Sequence, residues 1–504
     1  MSAPILTMSA RPASPDHLKD EKDLYNITQC PVSQDDPEGE SEPMSEADLR
    51  RVYRKIDFRL LPTMGVLFLL AGIDRGAVSN ANIFGFKESL NITTTEYNLV
   101  ATCFFFTYAL FEVPSNIILV RVRPPVWLSS LCLAWGVVMT FSGIVTNLGG
   151  AIATRLALGV AEAGMFPGAI YLLSLYYRRE MMTYRIAIFF SSATLSLAFA
   201  GLLAYGINGM NGVAGLASWR WIFILEGIAT CAIAALLFFA IPDNPSRARF
   251  LTDREAAYIR KSTMNPNVTR NTLRVDLLRA LKDVRNWCLT WMMICGAIPT
   301  YGFAYTLPSV LVQMGYRAET AQLLTVPLYV FGCLFTIGVS LLVERKDSRS
   351  LGCMIAFGTG FVGMVVTAFL PKTQMPGLRY AFLFPVLGGL YAAAPCILSW
   401  AASNSAGPQK RAITSAMTLT LSNLSSAVGT NMFLAREAPN YGVGFGIAIA
   451  LLGSAFFMAL FLRIWLARTN KQREELCANG EGDKYTAGEL ASLGDLAPTF
   501  RYKL

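Results

Sequence analysis

The chain has 504 residues, 53% hydrophobic and 15% charged, with 43 Lys and Arg against 34 Asp and Glu for a net charge of +9. Soluble domains average about 25% charged residues. Apolar side chains in this proportion exceed what a core can hide, so much of the surface must face lipid. The one histidine, His17, lies in the polar N-terminal stretch, which excludes a histidine base, haem ligand or histidine-bound metal within the apolar spans. No G-x-x-x-x-G-K-[ST] phosphate loop occurs, and the spans lack a nucleophile elbow or metal-ligand cluster, which argues against a membrane enzyme or a resident cofactor. The ten cysteines fall mostly in or beside apolar spans and read as small core residues rather than a disulfide or zinc framework. The basic excess gathers beside span ends, as in cytoplasmic loops, and does not indicate nucleic-acid binding.

In chain order, residues 1–59 are rich in Asp, Glu, Pro and Ser and read as a disordered cytoplasmic tail, not a signal peptide. Apolar spans follow near 60–83, 98–119, 126–146, 150–174, 186–207 and 219–241. A basic linker, 242–286, opens on Ile241-Pro242-Asp243-Asn244-Pro245, which stops a helix. Six more spans lie near 287–308, 321–343, 352–370, 378–400, 412–434 and 443–466, before a tail over 467–504. The expected fold is an all-α membrane protein of twelve transmembrane helices in two six-helix bundles, 60–241 and 287–466.

Loops on one side hold Arg121, Arg123, Arg178, Arg179, Arg185, Arg345, Lys346, Arg349, Lys410 and Arg411; the other side holds only Lys87, Arg317, Lys372, Arg379 and Arg436. This asymmetry puts both tails and the linker in the cytoplasm. Ser191-Ser-Ala-Thr-Leu-Ser-Leu197 in span five and Ser415-Ala-Met-Thr-Leu-Thr-Leu421 in span eleven suggest a parallel repeat of six spans.

Ionisable groups at mid-span cost about 2.5–3.5 kcal/mol each on insertion scales, so their positions carry information. The first half holds Asp74, Arg75, Glu112, Arg155, Glu162 and Glu226; the second has essentially none away from its span ends. Arg155 and Glu162 are seven residues apart, on one helix face about 10 Å apart. Counting residues from the span ends puts Arg75 and Arg155 at one level in the outer half, with Glu162 near the midplane. That arrangement suits an anion at Arg75 and Arg155 and a proton at Glu162 or Asp74. The competing reading is that these charges pair only to lock helices together. Glu112 reads as a gate or helix cap, and Glu226 as structural. Tyr301, Tyr305, Asn404 and Asn423 are weaker candidates for a cavity lining.

Asp74-Arg75 with Asn80-Ala81, Tyr108-Ala-Leu-Phe-Glu112-Val-Pro114-Ser-Asn116, the span-four run Arg155 to Gly168, Ala217-Ser-Trp219-Arg-Trp221 to Gly227, and Ala321-Gln-Leu-Leu-Thr-Val-Pro327 resemble motifs of the fungal allantoate permease family of anion:cation symporters. The resemblance runs from about Arg54 to Arg468. It implies a major facilitator fold and proton-coupled import of a small organic anion, such as a vitamin or ureide carboxylate, by a monomer in the plasma membrane. Distant animal organic-anion symporters carry arginines matching Arg75 and Arg155 and an acid matching Glu162, which implies carboxylate-binding and proton-coupling roles for them. Gly76-Ala-Val-Ser79 and Arg121-Val-Arg-Pro-Pro125 depart from the family pattern. Efflux of a secondary metabolite and a non-transporting nutrient sensor are the alternatives.

Overall fold

The computed structural model describes residues 45–119, 121–177, 181–263, 273–370, 375–405, 408–433, 437, 441–479, 484–485 and 494–504. Most of the expected N-terminal tail, with His17 and Cys30, lies outside them, as do Arg178, Arg179, Lys372 and Arg436 of the loop comparison. Contacts divide the chain into residues 1–50 and 51–504. In the first unit Ser45 Oγ accepts from the Asp48 amide at 3.2 Å, capping the helix that begins there.

The elements in order are α1 (Glu46–Ile83), a short α2 (Phe86–Leu90), α3 (Thr94–Leu119), α4 (Pro124–Ser142), α5 (Leu148–Glu162), α6 (Met165–Tyr176), α7 (Met182–Asn208) and α8 (Ser218–Ala240). After the linker helices α9 (Asp253–Thr263) and α10 (Leu273–Lys282) come α11 (Val284–Gln313), α12 (Ala318–Lys346), α13 (Arg349–Phe369), α14 (Pro376–Asn404), α15 (Pro408–Gly429) and α16 (Gly442–Ala478). Counting α5 and α6 as one span, nine of these are long and apolar enough to cross a membrane among the described residues. Helices α3, α11 and α15 complete twelve spans in two six-helix bundles.

Helix α1 starts well before the apolar run at Leu60. Val52, Ile56, Leu60 and Met64 recur every fourth residue and are at most 1% exposed, so one stripe of a polar segment is core. A hydropathy reading averages that stripe away. Span four breaks between α5 and α6 at Ala163 and Gly164. Pro167 cannot donate to the carbonyl four residues back and its ring crowds it, while a Cβ on Gly164 would fall 1.8 Å from Ser115 Oγ. The break therefore lets α3 come close just below Glu162. Elsewhere some helix pairs meet through paired glycines. A Cβ on Gly389 of α14 would lie 2.4 Å from Gly360 N of α13.

Because the spans alternate in direction, the linker and the end of α16 share one face, here termed the linker face. The bundles meet mainly toward the far face. Asn208 donates to Glu319 at 3.2 Å, and Thr102 shares a 2.8 Å bond with Thr430 and accepts from Asn431 at 2.8 Å. Ser79 donates to the Tyr305 carbonyl at 2.8 Å. Gly201 of α7 abuts Gln322 and Thr325 of α12, and the Gln322 side-chain amide is wholly buried without a hydrogen-bond partner among the described residues.

On the linker face, ion pairs hold each half together. Arg185 pairs with Asp57 at 2.7 Å in the first half. In the second, Arg285 and Lys410 both bind Asp283, at 2.6 and 2.7 Å, and both bind Asp495. Burial alone would push the Asp283 carboxyl up, but the hydrogen bonds and charge of Arg285, then of Lys410, outweigh it and hold it below the ordinary aspartate value. Residues 494–504 fold back across this face. Trp400 Nε1 and Asn404 Nδ2 each donate to the Lys503 carbonyl at 3.0 Å, and Asn470 donates to the Tyr502 carbonyl at 2.8 Å.

Candidate functional site

A cavity of about 160 Å³ lies between the bundles. Helix α1 contributes Phe68, Gly72 and Arg75, α3 contributes Tyr108, and α6 and α7 contribute Phe166 and Phe190. From the second half, α11 lines it along one face, with Thr300, Tyr301 and Tyr305. Tyr391 of α14 and Ser422 and Asn423 of α15 close the wall. Among the described residues, seven aromatic rings and a few hydroxyl and amide groups thus surround Arg75, the one charged side chain on the lining.

Arg75 reaches the cavity past a carboxylate that holds it from behind. Its Nε donates to Glu162 Oε2 at 2.8 Å, and the Glu162 side chain is fully buried. Nη1 lies 3.5 Å from the Tyr301 hydroxyl, at the outer limit of a useful bond. The guanidinium carbon sits 5.1 Å from the Tyr108 ring centre and 5.4 Å from that of Phe104, within cation–π range. Nη2 has no hydrogen-bond partner among the described residues. One edge of the guanidinium is therefore fixed and the other is not, which is how a bidentate anion site is prepared.

Arg155 occupies a different position from the one expected. It is 4% exposed, does not line the cavity, and stacks 5.4 Å over Phe223. The Arg75 guanidinium lies beside Glu162, two turns from Arg155 along α5. A depth count along the helix axis does not say which way a side chain turns: Arg155 stacks on Phe223, whereas Arg75 bonds the Glu162 carboxylate. Asp74, adjacent to Arg75, points the other way. It is fully buried, and neither of its oxygens has a hydrogen bond of normal geometry.

Tyr301 and Tyr305 line the cavity. Asn404 does not: it ends α14 on the linker face, where it bonds the amide and carbonyl of Lys503. Its placement among cavity residues is corrected here. The helix runs further past the cavity than the apolar pattern suggested, so its last residue meets the returning tail. Glu112 sits between the halves, 4% exposed, accepting from Thr420 of α15 at 3.4 Å.

Sequence reasoning passed over Tyr108, Phe166, Phe190 and Tyr391. Tyr108 had a signal, lying four residues before Glu112 on the same face of α3. The others look like ordinary packing residues until the two bundles are brought together.

The family profile of the Major Facilitator Superfamily matches residues 64–430. The chain belongs to this superfamily. Among curated facilitators it is 34% identical over 474 residues to the MFS-type transporter cnsO of Penicillium expansum, covering 91% of this chain and 92% of that one. It is 30% identical over 461 residues to the high-affinity nicotinic acid transporter of Saccharomyces cerevisiae, covering 90% and 84%. Among solved structures, a bacterial homologue of the human lysosomal transporter Spinster, in an inward-facing and unoccupied conformation, superposes with a TM-score of 0.59. That pair shares 16% identity, covering 80% of this chain and 94% of that chain; the likeness is one of fold. This facilitator is accordingly a membrane transporter with a small-molecule substrate.

Proposed function

We propose that the protein is a symporter that moves a small organic monocarboxylate together with protons. The observation that carries this reading is a single guanidinium, Arg75, on a cavity wall otherwise made of aromatic and neutral polar groups. One fixed positive charge selects one carboxylate, and the rings favour a flat or apolar body attached to it. The nicotinic acid transporter among the relatives and the resemblance to allantoate permeases fit the same chemistry.

Coupling follows from the way Arg75 is held. A substrate carboxylate and Glu162 would share one guanidinium, two negative charges against one positive, with the Glu162 side chain fully buried. That imbalance is costly at low dielectric. A proton on Glu162 removes it and frees the whole guanidinium for the substrate, so each ligand favours the other's binding. Glu112, bonded across to α15, is well placed to report cavity state to the interface as a gate. The basic-loop asymmetry supports a cytoplasmic linker face. The contacts toward the far face then correspond to an inward-facing form, and import across the plasma membrane is the direction proposed.

The test uses purified protein in proteoliposomes with labelled nicotinate as probe. Acid outside should drive accumulation, and Glu162→Gln should retain exchange but lose accumulation. Saturable uptake that ignores the pH gradient would remove proton coupling. Failure to bind nicotinate and a panel of other monocarboxylates would remove the anion reading.

A further inference from the structure

The two linker helices present different faces to their surroundings. In α10 Ala280 is fully buried, and the helix packs against α15 and the start of α11. Helical geometry then sets Leu278 and Lys282 opposite Ala280, with Leu281 on one flank and Arg279 on the other. Leu278 is 56% exposed and Leu281 40%. Arg279 and Lys282 are exposed and make no ion pair among the described residues. Helix α9, by contrast, exposes charged side chains and no large apolar one, as a helix standing in water does.

Single exposed leucines are ordinary, but these two continue a longer stripe. Val284, Trp287 and Trp291, spaced three and four residues apart on α11, are exposed as well. They lie on a different side of α11 from the cavity residues Met293, Ala297, Thr300 and Ala304. On a membrane-spanning helix that is the side that meets lipid. The corner between α10 and α11 falls at Asp283, whose backbone is extended, and side chains fix it. Asn286 Nδ2 donates to the Ala280 carbonyl at 2.9 Å, and Trp287 Nε1 donates to the Leu281 carbonyl at 2.7 Å. Both carbonyls are among those a helix leaves unpaired at its C-terminal end, so α10 cannot swing away without losing these bonds. An indole with its ring on the apolar stripe and its N–H on a helix end suits the boundary between acyl chains and headgroups. The apolar stripe therefore passes through Trp287 from the span onto α10.

We propose that α10 is a lipid-docking helix lying in the bilayer surface on the linker face, with Leu278 and Leu281 at the acyl boundary and Arg279 and Lys282 on the headgroups of anionic phospholipids. An apolar strip beside basic residues is the pattern of helices that lie in that plane. Each basic side chain near an anionic surface favours the contact about fivefold. Lipid held there touches the second bundle where two of its cavity-lining helices, α11 and α15, begin. The inference uses neither the substrate nor the coupling ion proposed above.

The test places a fluorescent reporter on the helix in the full-length protein. Leu278→Trp and, separately, Leu281→Trp are reconstituted in mixed phosphatidylcholine and phosphatidylserine vesicles, with bromine on the acyl chains of one lipid at a time. The emission added over wild type should be blue-shifted and quenched by either brominated lipid, and by phosphatidylserine beyond its share of the bilayer. Adding Arg279→Gln and Lys282→Gln should keep the quenching by phosphatidylcholine and abolish the excess from phosphatidylserine. Lys261→Trp on α9 should be red-shifted and unquenched. Red-shifted, unquenched emission at both leucine positions would put α10 in water and overturn the proposal. Blue-shifted emission that neither brominated lipid quenches would also overturn it, because a second copy or another protein would then cover the face. A phosphatidylserine excess that survives the two Gln substitutions would overturn the assignment of Arg279 and Lys282 to the headgroups.

Discussion

Replacing Arg75 by lysine keeps the charge and removes the shape. In the wild type the guanidinium bonds Glu162 through Nε at 2.8 Å, leaves Nη2 without a hydrogen-bond partner among the described residues, and lies 5.1 Å from the Tyr108 ring centre. An ammonium on a four-carbon stem cannot hold Glu162 and also present two parallel donors to a substrate carboxylate. The loss is one charge-assisted hydrogen bond, about 1.5–3 kcal/mol, and a cation–π contact of about 0.5–1 kcal/mol. Together these amount to about 2–4 kcal/mol, which converts to a roughly 30- to 700-fold weaker dissociation constant. Equilibrium binding of labelled nicotinate to purified Arg75→Lys, with thermal unfolding as a check that the protein is folded, measures it. The parallel Arg155→Lys variant should change affinity less, because its side chain does not reach the cavity. Unchanged affinity in folded Arg75→Lys, or a larger loss in Arg155→Lys, would refute the assignment of the anion site.

Gly389→Ala forces a Cβ to within 2.4 Å of the α13 backbone; overpacking of this kind costs about 1–3 kcal/mol, visible as a lower melting temperature. Asp495→Asn weakens the bonds to Arg285 and Lys410, so residues 494–504 should become sensitive to protease at Arg501 while the helices remain protected. The Asp283 carboxyl is held below its ordinary value, so its contribution is complete above about pH 4 and is lost as the pH falls through its depressed value. The thermal stability of the α11–α15 contact on the linker face should therefore hold at mildly acidic pH and fall only below it; an unchanged melting temperature in Asp283→Asn would refute the contribution. An epitope inserted at Arg260, in the linker, should be inaccessible from outside intact cells, and labelling there would reverse the orientation.

Much of the architecture was legible because lipid imposes a one-dimensional rule: apolar stretches of about twenty residues must cross. The same rule concealed the start of α1, where the buried stripe Val52, Ile56 and Leu60 alternates with charge. It also gave no hint of the returning tail, whose anchors are polar side chains far apart in sequence. In the site, buried charge singled out Arg75, Glu162 and Asp74, since such residues are rare in spans. Which of them faces the cavity was not legible, because Arg75 and Asp74 are adjacent and a helix sends neighbours about 100° apart. Phe166 and Phe190 carry no mark of their own; their role depends on a bundle interface that no local pattern encodes.

The seal toward the far face is made of uncharged contacts, apart from the exposed Asn208–Glu319 bond. Neutral hydrogen bonds such as Thr102 with Thr430 and Ser79 with Tyr305 contribute about 1 kcal/mol each. The buried, unpartnered amide of Gln322 offsets about 1–3 kcal/mol of that, and water would satisfy it on opening. These polar terms nearly cancel, so the hydrogen bonds of the seal by themselves give the closed arrangement little net preference. Where apolar packing leaves two states close in energy, a small differential affinity of the cavity's occupant is enough to change the preferred one, and the polar catch on the door decides little.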